Sequence, residues 1–313
     1  MAISELRFKT HESWLKGREG FIGASAWPTV LGCNPFETPY QYWRRWHKLD
    51  GEKPMNFAMK AGHYLEQAVA NFYEDETGAQ VIKRSADEYI VVNDRKPFLG
   101  VSPDRTFWLP NMPHNNGNKG VLECKTTTMF VDADNVPQRW FVQLQAQLGV
   151  MGMQQGALAW LTQGRDFGYV NYDFDSEFFE WALGEVDKFY TDYLIGSAVP
   201  DSITVEDVML RSPRSVEGKM IEASDEIADI VAQLKEAKAA ADKAFGLVDE
   251  LNDKVKLYMG DSESIQYQGQ TLATWKSGKE GSKFDAKRFQ KEHADACAAY
   301  MVKTEGVRRF ILK

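Results

Sequence analysis

Cysteine is scarce in this chain. Three of its 313 residues are cysteine, Cys33, Cys124 and Cys297, and they lie far apart. That spacing excludes a four-cysteine zinc site and an iron–sulfur cluster, and it gives no disulfide framework. No apolar run is long enough to cross a bilayer, and no stretch reads as a secretory signal, so a cytoplasmic protein without a membrane partner is expected. An excess of positive charge is missing too. Lys and Arg number 37 against 45 Asp and Glu, for a formal charge of −8. This argues against a simple DNA coat. What is present is ordinary for a globular protein: 43% hydrophobic and 26% charged residues, with enough length for one large domain or two modest ones.

The charge is unevenly spread. Residues 61–200 carry nineteen Asp/Glu against ten Lys/Arg, whereas residues 1–60 carry nine Lys/Arg against six Asp/Glu and residues 261–313 carry ten against seven. An acidic middle block suits carboxylate metal ligands, whose charge bound divalent ions offset. Phosphate-binding charge is expected from the two ends.

Periodicity and breakers divide the chain. Residues 11–50 read as helix, turn, helix, with Ser25 capping a segment that ends near Gly32 and Thr38 capping Pro39–Trp46. Residues 57–77 read as a long amphipathic helix stopped by Gly78. Residues 80–93 and 98–108 read as strands with a turn at Asn93-Asp94, followed by a polar loop over 110–119. Residues 120–126 read as a strand, 137–153 as a helix, 156–163 and 168–174 as strands, and 177–196 as a helix. Composition changes after Pro200, so a core over residues 1–200 and an extension over 201–313 are expected. In the extension, residues 216–259 predict a long helix or helical hairpin, with a coiled-coil arm as one form of it. Residues 263–276 predict a hairpin turning at Gln268-Gly269, 284–300 a helix and 308–312 a strand.

Two short segments carry the chemistry. Val101-Ser102-Pro103-Asp104 ends in a carboxylate, and Val121-Leu122-Glu123-Cys124-Lys125 holds a carboxylate and an ammonium. On a strand, Glu123 and Lys125 are i and i+2 and project from one face. If the strands pair, Asp104 joins them, and hard oxygen ligands suit Mg²⁺ or Mn²⁺. Gly62-x3-Glu66 on the long helix offers a third carboxylate bordering the apolar stripe. Gln143 and Gln147, four apart, share one face of the helix that follows. Arg18, with Ser25 beyond the Phe21–Ser25 turn, makes a candidate phosphate pocket.

Pro103-Asp104 and Glu123-Cys124-Lys125 resemble the two signature elements of the PD-(D/E)xK nuclease superfamily. With Arg18, Ile22-Gly23-Ala24-Ser25, Gly62-x3-Glu66, Ser102-Pro103-Asp104, Glu123-Cys124-Lys125 and Gln143-Leu144-Gln145 in that order, residues 10–195 resemble the YqaJ-type viral recombinase family. The resemblance implies an α/β (α+β) restriction-endonuclease-like core, a central mixed β-sheet flanked by helices, with a helical and small β extension. It implies a Mg²⁺-dependent exonuclease that digests double-stranded DNA ends 5′→3′ and leaves 3′ single strands for recombination, phage- or prophage-encoded in a bacterial host. By the same resemblance Asp104, Glu123, the Cys124 carbonyl and Glu66 hold two metal ions. Lys125 orients or activates water with help from Gln143. Arg18, Ser25, Ser102 and Gln145 hold DNA phosphate. A ring-like homo-oligomer, trimeric or tetrameric, and a single-strand annealing partner are also implied. The chain departs from the family pattern after the Lys125 strand, where Thr126–Val131 lacks an arginine and the next one is Arg139; strict dependence on a 5′ phosphate is not implied. Other readings on the same residues are a structure- or site-specific endonuclease and a non-catalytic DNA-binding scaffold.

Overall fold

A computed structural model describes residues 3–51, 55–82, 89–302, 304 and 306–313. The middle of the expected strand over 80–93 lies outside the described residues. The chain forms two units, Met1–Arg211 and Ser212–Lys313.

The first unit begins with β1 (Ile3–Arg7) and α1 (His11–Arg18). A 3₁₀ turn over Ala24–Ala26 leads into α2 (Trp27–Val30), whose cap position, Ala26, makes no side-chain bond. Ser25 is therefore not a helix cap, contrary to expectation: the intervening 3₁₀ turn carries it one step too early. In α3 (Pro39–Trp46) Thr38 and Gln41 form a capping box ahead of Pro39. Helix α4 (Phe57–Thr77) ends at Gly78, whose φ of 69° is the left-handed conformation that a glycine C-cap supplies without strain. Strands β2 (Gln80–Ile82), β3 (Tyr89–Asn93), β4 (Lys96–Val101), β5 (Arg105–Trp108) and β6 (Lys119–Thr127) follow. The expected strand over 98–108 is thus two strands, broken at Ser102-Pro103-Asp104, where proline ends the ladder. Then come α5 (Gln138–Met151), β7 (Gln155–Thr162), β8 (Asp166–Asp173) and α6 (Ser176–Phe189), which runs into a π-turn over Tyr190–Leu194.

The central sheet is mixed, in the order β2-β5-β6-β7-β8. Strands β6 and β7 are parallel and joined through α5; the other neighbours are antiparallel. Strand β7 is apolar and buried along almost its whole length, as a strand covered on both faces must be. On one face α2, α5 and α6 build a core around Trp27, Leu144, Leu148 and Phe179. There α6 approaches so closely that a Cβ at Gly149 would meet Phe179 at 2.1 Å, so only glycine fits. On the other face α4 buries Val69, Ala70 and Tyr73 against Phe107, Leu122 and Ala159. A second sheet, β1-β3-β4, is antiparallel throughout.

Helix α7 (Val205–Arg211) was not expected. Its Asp207 is fully buried and accepts from Thr38 Oγ1 (2.8 Å), Ile203 N (3.1 Å) and Thr204 N (3.2 Å). Those bonds tie 203–211 to the cap of α3, and the units divide after Arg211 rather than at residue 200.

The second unit holds α8 (Asp225–Met259), a single 35-residue helix, and the hairpin β9 (Ser264–Tyr267)–β10 (Gln270–Thr274). The expected helix over 284–300 is broken at His293 into α9 (Ala286–Glu292) and α10 (Ala294–Ala299). The described residues of 308–312 form no strand, contrary to expectation. No described helix is long and apolar enough to cross a membrane.

Candidate active site

The site lies where β5 and β6 part. The ladder pairs Arg105 with Leu122, and one position further Asp104 turns its side chain back to the opposite strand. Asp104 Oδ2 accepts from the Cys124 amide at 2.8 Å, in the place a backbone carbonyl would take in a continued strand. Pro103 makes this possible by stopping the ladder.

Alternation along β6 sets the rest. Glu123 and Lys125 face α5, while Leu122 and Cys124 face α4. Lys125 Nζ donates to Glu123 Oε1 (2.6 Å) and to Gln143 Oε1 (2.9 Å); Gln143 Nε2 donates to the same Glu123 oxygen (2.6 Å). Gln147, one turn along α5, donates from Nε2 to Glu123 Oε2 at 2.7 Å. Its own Oε1 is buried with no hydrogen-bond partner among the described residues. Glu123 is thus almost fully buried with both oxygens satisfied by donors.

From the other side α4 delivers Glu66. A Cβ at Gly62 would stand 3.5 Å from Thr126 Oγ1, so the helix passes close over β6. Glu66 Oε1 pairs with Arg105 Nη1, which also donates to the Asp104 carbonyl, while Arg105 Nη2 reaches Gln67 Oε1 at 3.2 Å. Arg105 is a site residue that sequence reading missed. It adjoins Asp104 in sequence, yet strand alternation sends it to the α4 face. The signal was the pairing of a buried-strand arginine with the helix carboxylate, and no fixed spacing announces it.

Glu66, Ser102, Asp104, Gln143 and Gln147 line a cavity of about 250 Å³, and Arg18, Ser25, His11, His63 and Trp14 close it. A Cβ at Gly23 would lie 3.9 Å from both Arg18 Nη2 and Ser25 Oγ, which places those two groups together beside the carboxylates. The Arg18 guanidinium lies over the Trp14 ring, 4.4 Å from its centroid. Ser102 reaches the cavity, but its hydroxyl proton goes to the Tyr89 carbonyl (2.7 Å) and its oxygen accepts from Trp14 Nε1 (3.3 Å). It therefore has no proton left to donate to a phosphate. Gln145 does not belong to the site. It is fully buried, donating to the Asp173 carbonyl (2.9 Å) and accepting from the Asp175 amide (2.9 Å). Two residues from Gln143 on a helix is a rotation of about 200°, which turns it away from the cavity. Arg139 is not among the cavity-lining side chains and stacks over Phe36 and Trp140.

Charge in the site is poorly balanced. Burial, then Glu123 and Glu66, hold the Asp104 carboxyl well above the usual carboxylate range; Lys125 and the Cys124 amide pull it only partly back. Glu66 is likewise raised, by burial first, against the opposing pull of Arg105. Burial alone would lower the Lys125 ammonium, but Glu123 and then Asp104 outweigh it and hold it above an ordinary lysine. Burial lowers Arg18, assisted by Arg45 and opposed by Asp104.

Among the described residues no three His, Cys, Asp or Glu side chains stand as a ready metal cluster. The chemistry of the donor set nevertheless fits a hard cation. Three carboxylates gather there with Lys125, Arg105 and Arg18, and the buried amide oxygen of Gln147 has no partner among the described residues. Asp104, Glu123 and Glu66 would hold such an ion, with the Cys124 carbonyl as the further candidate.

Residues 13–154 match the family model described as the YqaJ-like viral recombinase domain. A protein of Bacillus subtilis (strain 168), described as uncharacterized protein YqaJ, is 25% identical over 320 residues, 97% of this chain and 94% of that one. An alkaline exonuclease from Laribacter hongkongensis superposes with a TM-score of 0.45 and 20% identity, covering 57% of this chain and 90% of that one. A phage-related exonuclease from Haemophilus somnus 129PT gives a TM-score of 0.37 and 11% identity over 54% and 93%.

Proposed function

With residues 13–154 a YqaJ-like viral recombinase domain, we propose that the first unit is a Mg²⁺-dependent deoxyribonuclease. It digests double-stranded DNA from its ends, 5′→3′, and leaves 3′ single strands for recombination. The observation that carries this reading is one cavity lined by Asp104, Glu66, Arg18 and Ser25, whose wall residues Gln143 and Gln147 hydrogen-bond Glu123 and, from Gln143, Lys125 behind them.

Each residue has a task. Asp104, Glu123 and Glu66 bind the divalent ions, Mg²⁺ or Mn²⁺. When bound, those ions acidify water and offset negative charge at the scissile phosphate and its leaving oxygen. Lys125 stays charged between Glu123 and Gln143, so it orients water and stabilises developing negative charge instead of taking a proton. Gln143 locks the lysine and the glutamate in one arrangement. Arg18 and Ser25 receive the DNA phosphate next to the carboxylates, and the Trp14 ring holds the guanidinium in place. The Thr126–Val131 segment brings no arginine, so digestion proceeds from unphosphorylated as well as phosphorylated 5′ ends. A ring-like homo-oligomer on the duplex, a single-strand annealing partner and a cytoplasmic setting complete the reading; they rest on the family likeness.

End-labelled linear duplex and closed circular DNA, incubated with the protein and Mg²⁺, test the proposal. Linear DNA shortened from its ends with circles left intact supports it. Cleavage of closed circles would make the protein an endonuclease, and inertness toward both would leave a binding scaffold.

A further inference from the structure

The second unit carries a feature that the nuclease reading does not use. Helix α8 runs 35 residues, about 50 Å at 1.5 Å per residue, and its apolar residues repeat in heptads from end to end. Ile227, Leu234, Ala241, Val248 and Val255 fall at a. Ile230, Ala237, Ala244, Leu251 and Tyr258 fall at d. None of the charged residues of the helix falls at a or d. A repeat sustained for four heptads or more at a period of 3.5 specifies a left-handed coiled coil. Yet the seam is open to solvent: Ile227 is 49% exposed, Val248 52% and Leu251 50%. A lone helix has no use for such a seam.

We propose that α8 pairs with α8 of a second copy of this chain as an antiparallel coiled coil. Charge sets the direction. The first turns hold Asp225, Glu226 and Asp229 with no basic residue, whereas in the last turns Lys254 and Lys256 outnumber Asp253. A parallel pair stacks the acidic ends on each other. An antiparallel pair moves each acidic end away from its copy, beside an end of slight positive excess, and opposes the two helix dipoles. It also lets the helices overlap along their full length, with Ile230 against Val255, Leu234 against Leu251, and Ala241 against Ala244 at the centre. Each helix then covers a strip about 10 Å wide and about 50 Å long, on the order of 1,000 Å² for the pair, which reaches the size that specific interfaces need. The pairing stands whether or not the first unit cuts DNA.

Sedimentation equilibrium of the full chain at tens of micromolar tests it. The wild type should show at least twice the 35.6 kDa chain mass. The double variant Leu234→Asp/Leu251→Asp should halve it, while Ala239→Asp on the opposite face should not change it. Circular dichroism guards against loss of the helix itself. A monomeric wild type, or a double variant of unchanged mass, overturns the proposal. Mixing Leu234→Cys chains with Leu251→Cys chains under mild oxidation reads the direction independently. Cross-linked dimers above the wild-type background should form in the mixture and not with Leu234→Cys alone. The reverse pattern overturns the antiparallel arrangement, and no cross-link in either overturns the pairing.

Discussion

Gln147 Nε2 donates to Glu123 Oε2 over 2.7 Å, and the amide oxygen of the same side chain is buried with no partner among the described residues. One amide therefore fixes a candidate metal-binding carboxylate while its own oxygen goes unsatisfied. Replacing Gln147 by leucine removes that brace at similar volume. Groups that brace a metal ligand from behind are worth about 10–100-fold in metal affinity or activity, and we expect a loss in that range in the initial rate of DNA digestion. Gln147→Glu should lose more, since it sets a like charge beside Glu123. A Gln147→Leu enzyme at the wild-type rate would mean that Glu123 needs no such brace.

Asp104→Ala and Glu123→Gln should each abolish Mg²⁺-dependent cleavage while duplex binding persists. The cavity keeps Arg18 and Ser25 in both variants, so the phosphate contact survives when the ion sites do not. Digestion assays and gel-shift titrations on the same preparations separate the two functions. Residual metal-dependent cutting by either purified variant would remove these carboxylates from the chemistry.

Lys125→Ala should slow cleavage by about 10²-fold, the scale of a positioned proton- or charge-handling group. Gln143 bonds both Lys125 and Glu123, so the two side chains act as one unit. The double variant Lys125→Ala/Gln143→Ala should then cost less than the product of the two single effects. Strictly multiplicative losses would show that the hydrogen bonds seen here carry no catalytic coupling.

The residues that meet through local rules were legible before the structure. Glu123 and Lys125 share a face because strands alternate, and Gln143 and Gln147 share one because helices repeat every three to four residues. Helix α4 stopping at Gly78 and Thr38 capping α3 follow from equally local chemistry, as does helix within 216–259, although one helix and a hairpin were not told apart. What was not legible depends on partners distant in sequence. Arg105 meets Glu66 across thirty-nine positions, Asp207 meets Thr38 across 169, and Ser102 spends its hydroxyl on Tyr89. Gln145 was misplaced because its motif neighbours were read as a block, whereas each step along a helix turns the side chain by about 100°.

The pair of Arg105 and Glu66 is more than a site detail. Arg105 is 8% exposed and holds Glu66, the Asp104 carbonyl and Gln67. Removing one partner of a buried pair leaves an uncompensated charge and costs about 3 kcal/mol. Arg105→Ala should therefore lower the unfolding free energy by about that much, read in urea at constant m-value, as well as reduce cleavage. Arg105→Lys should recover little, because an ammonium cannot reach three acceptors through a planar fork. A destabilisation under about 1 kcal/mol would imply that Glu66 finds water when its partner leaves.

Asp104 gives a pH dependence whose sign can be worked out. Its folded carboxyl holds its proton to a pH well above the usual carboxylate range, through burial and through Glu123 and Glu66. Between the ordinary carboxylate pKa and the raised one, the folded protein binds more protons than the unfolded chain. Stability must therefore fall as pH rises through that window. In chelator, where no ion offsets the charge, Asp104→Asn should melt higher than the wild type at pH 8, and the two should converge at a pH below the ordinary carboxylate value. The substitution keeps an oxygen for the Cys124 amide, so the gain is not lost to a broken hydrogen bond. Added Mg²⁺ should then reverse the order at pH 8. It binds the folded wild type and raises its melting temperature by mass action, while the variant, short of one carboxylate, gains less. If Asp104→Asn melts lower than the wild type in chelator at pH 8, the carboxylates are not in mutual repulsion and the cavity is not waiting for a cation.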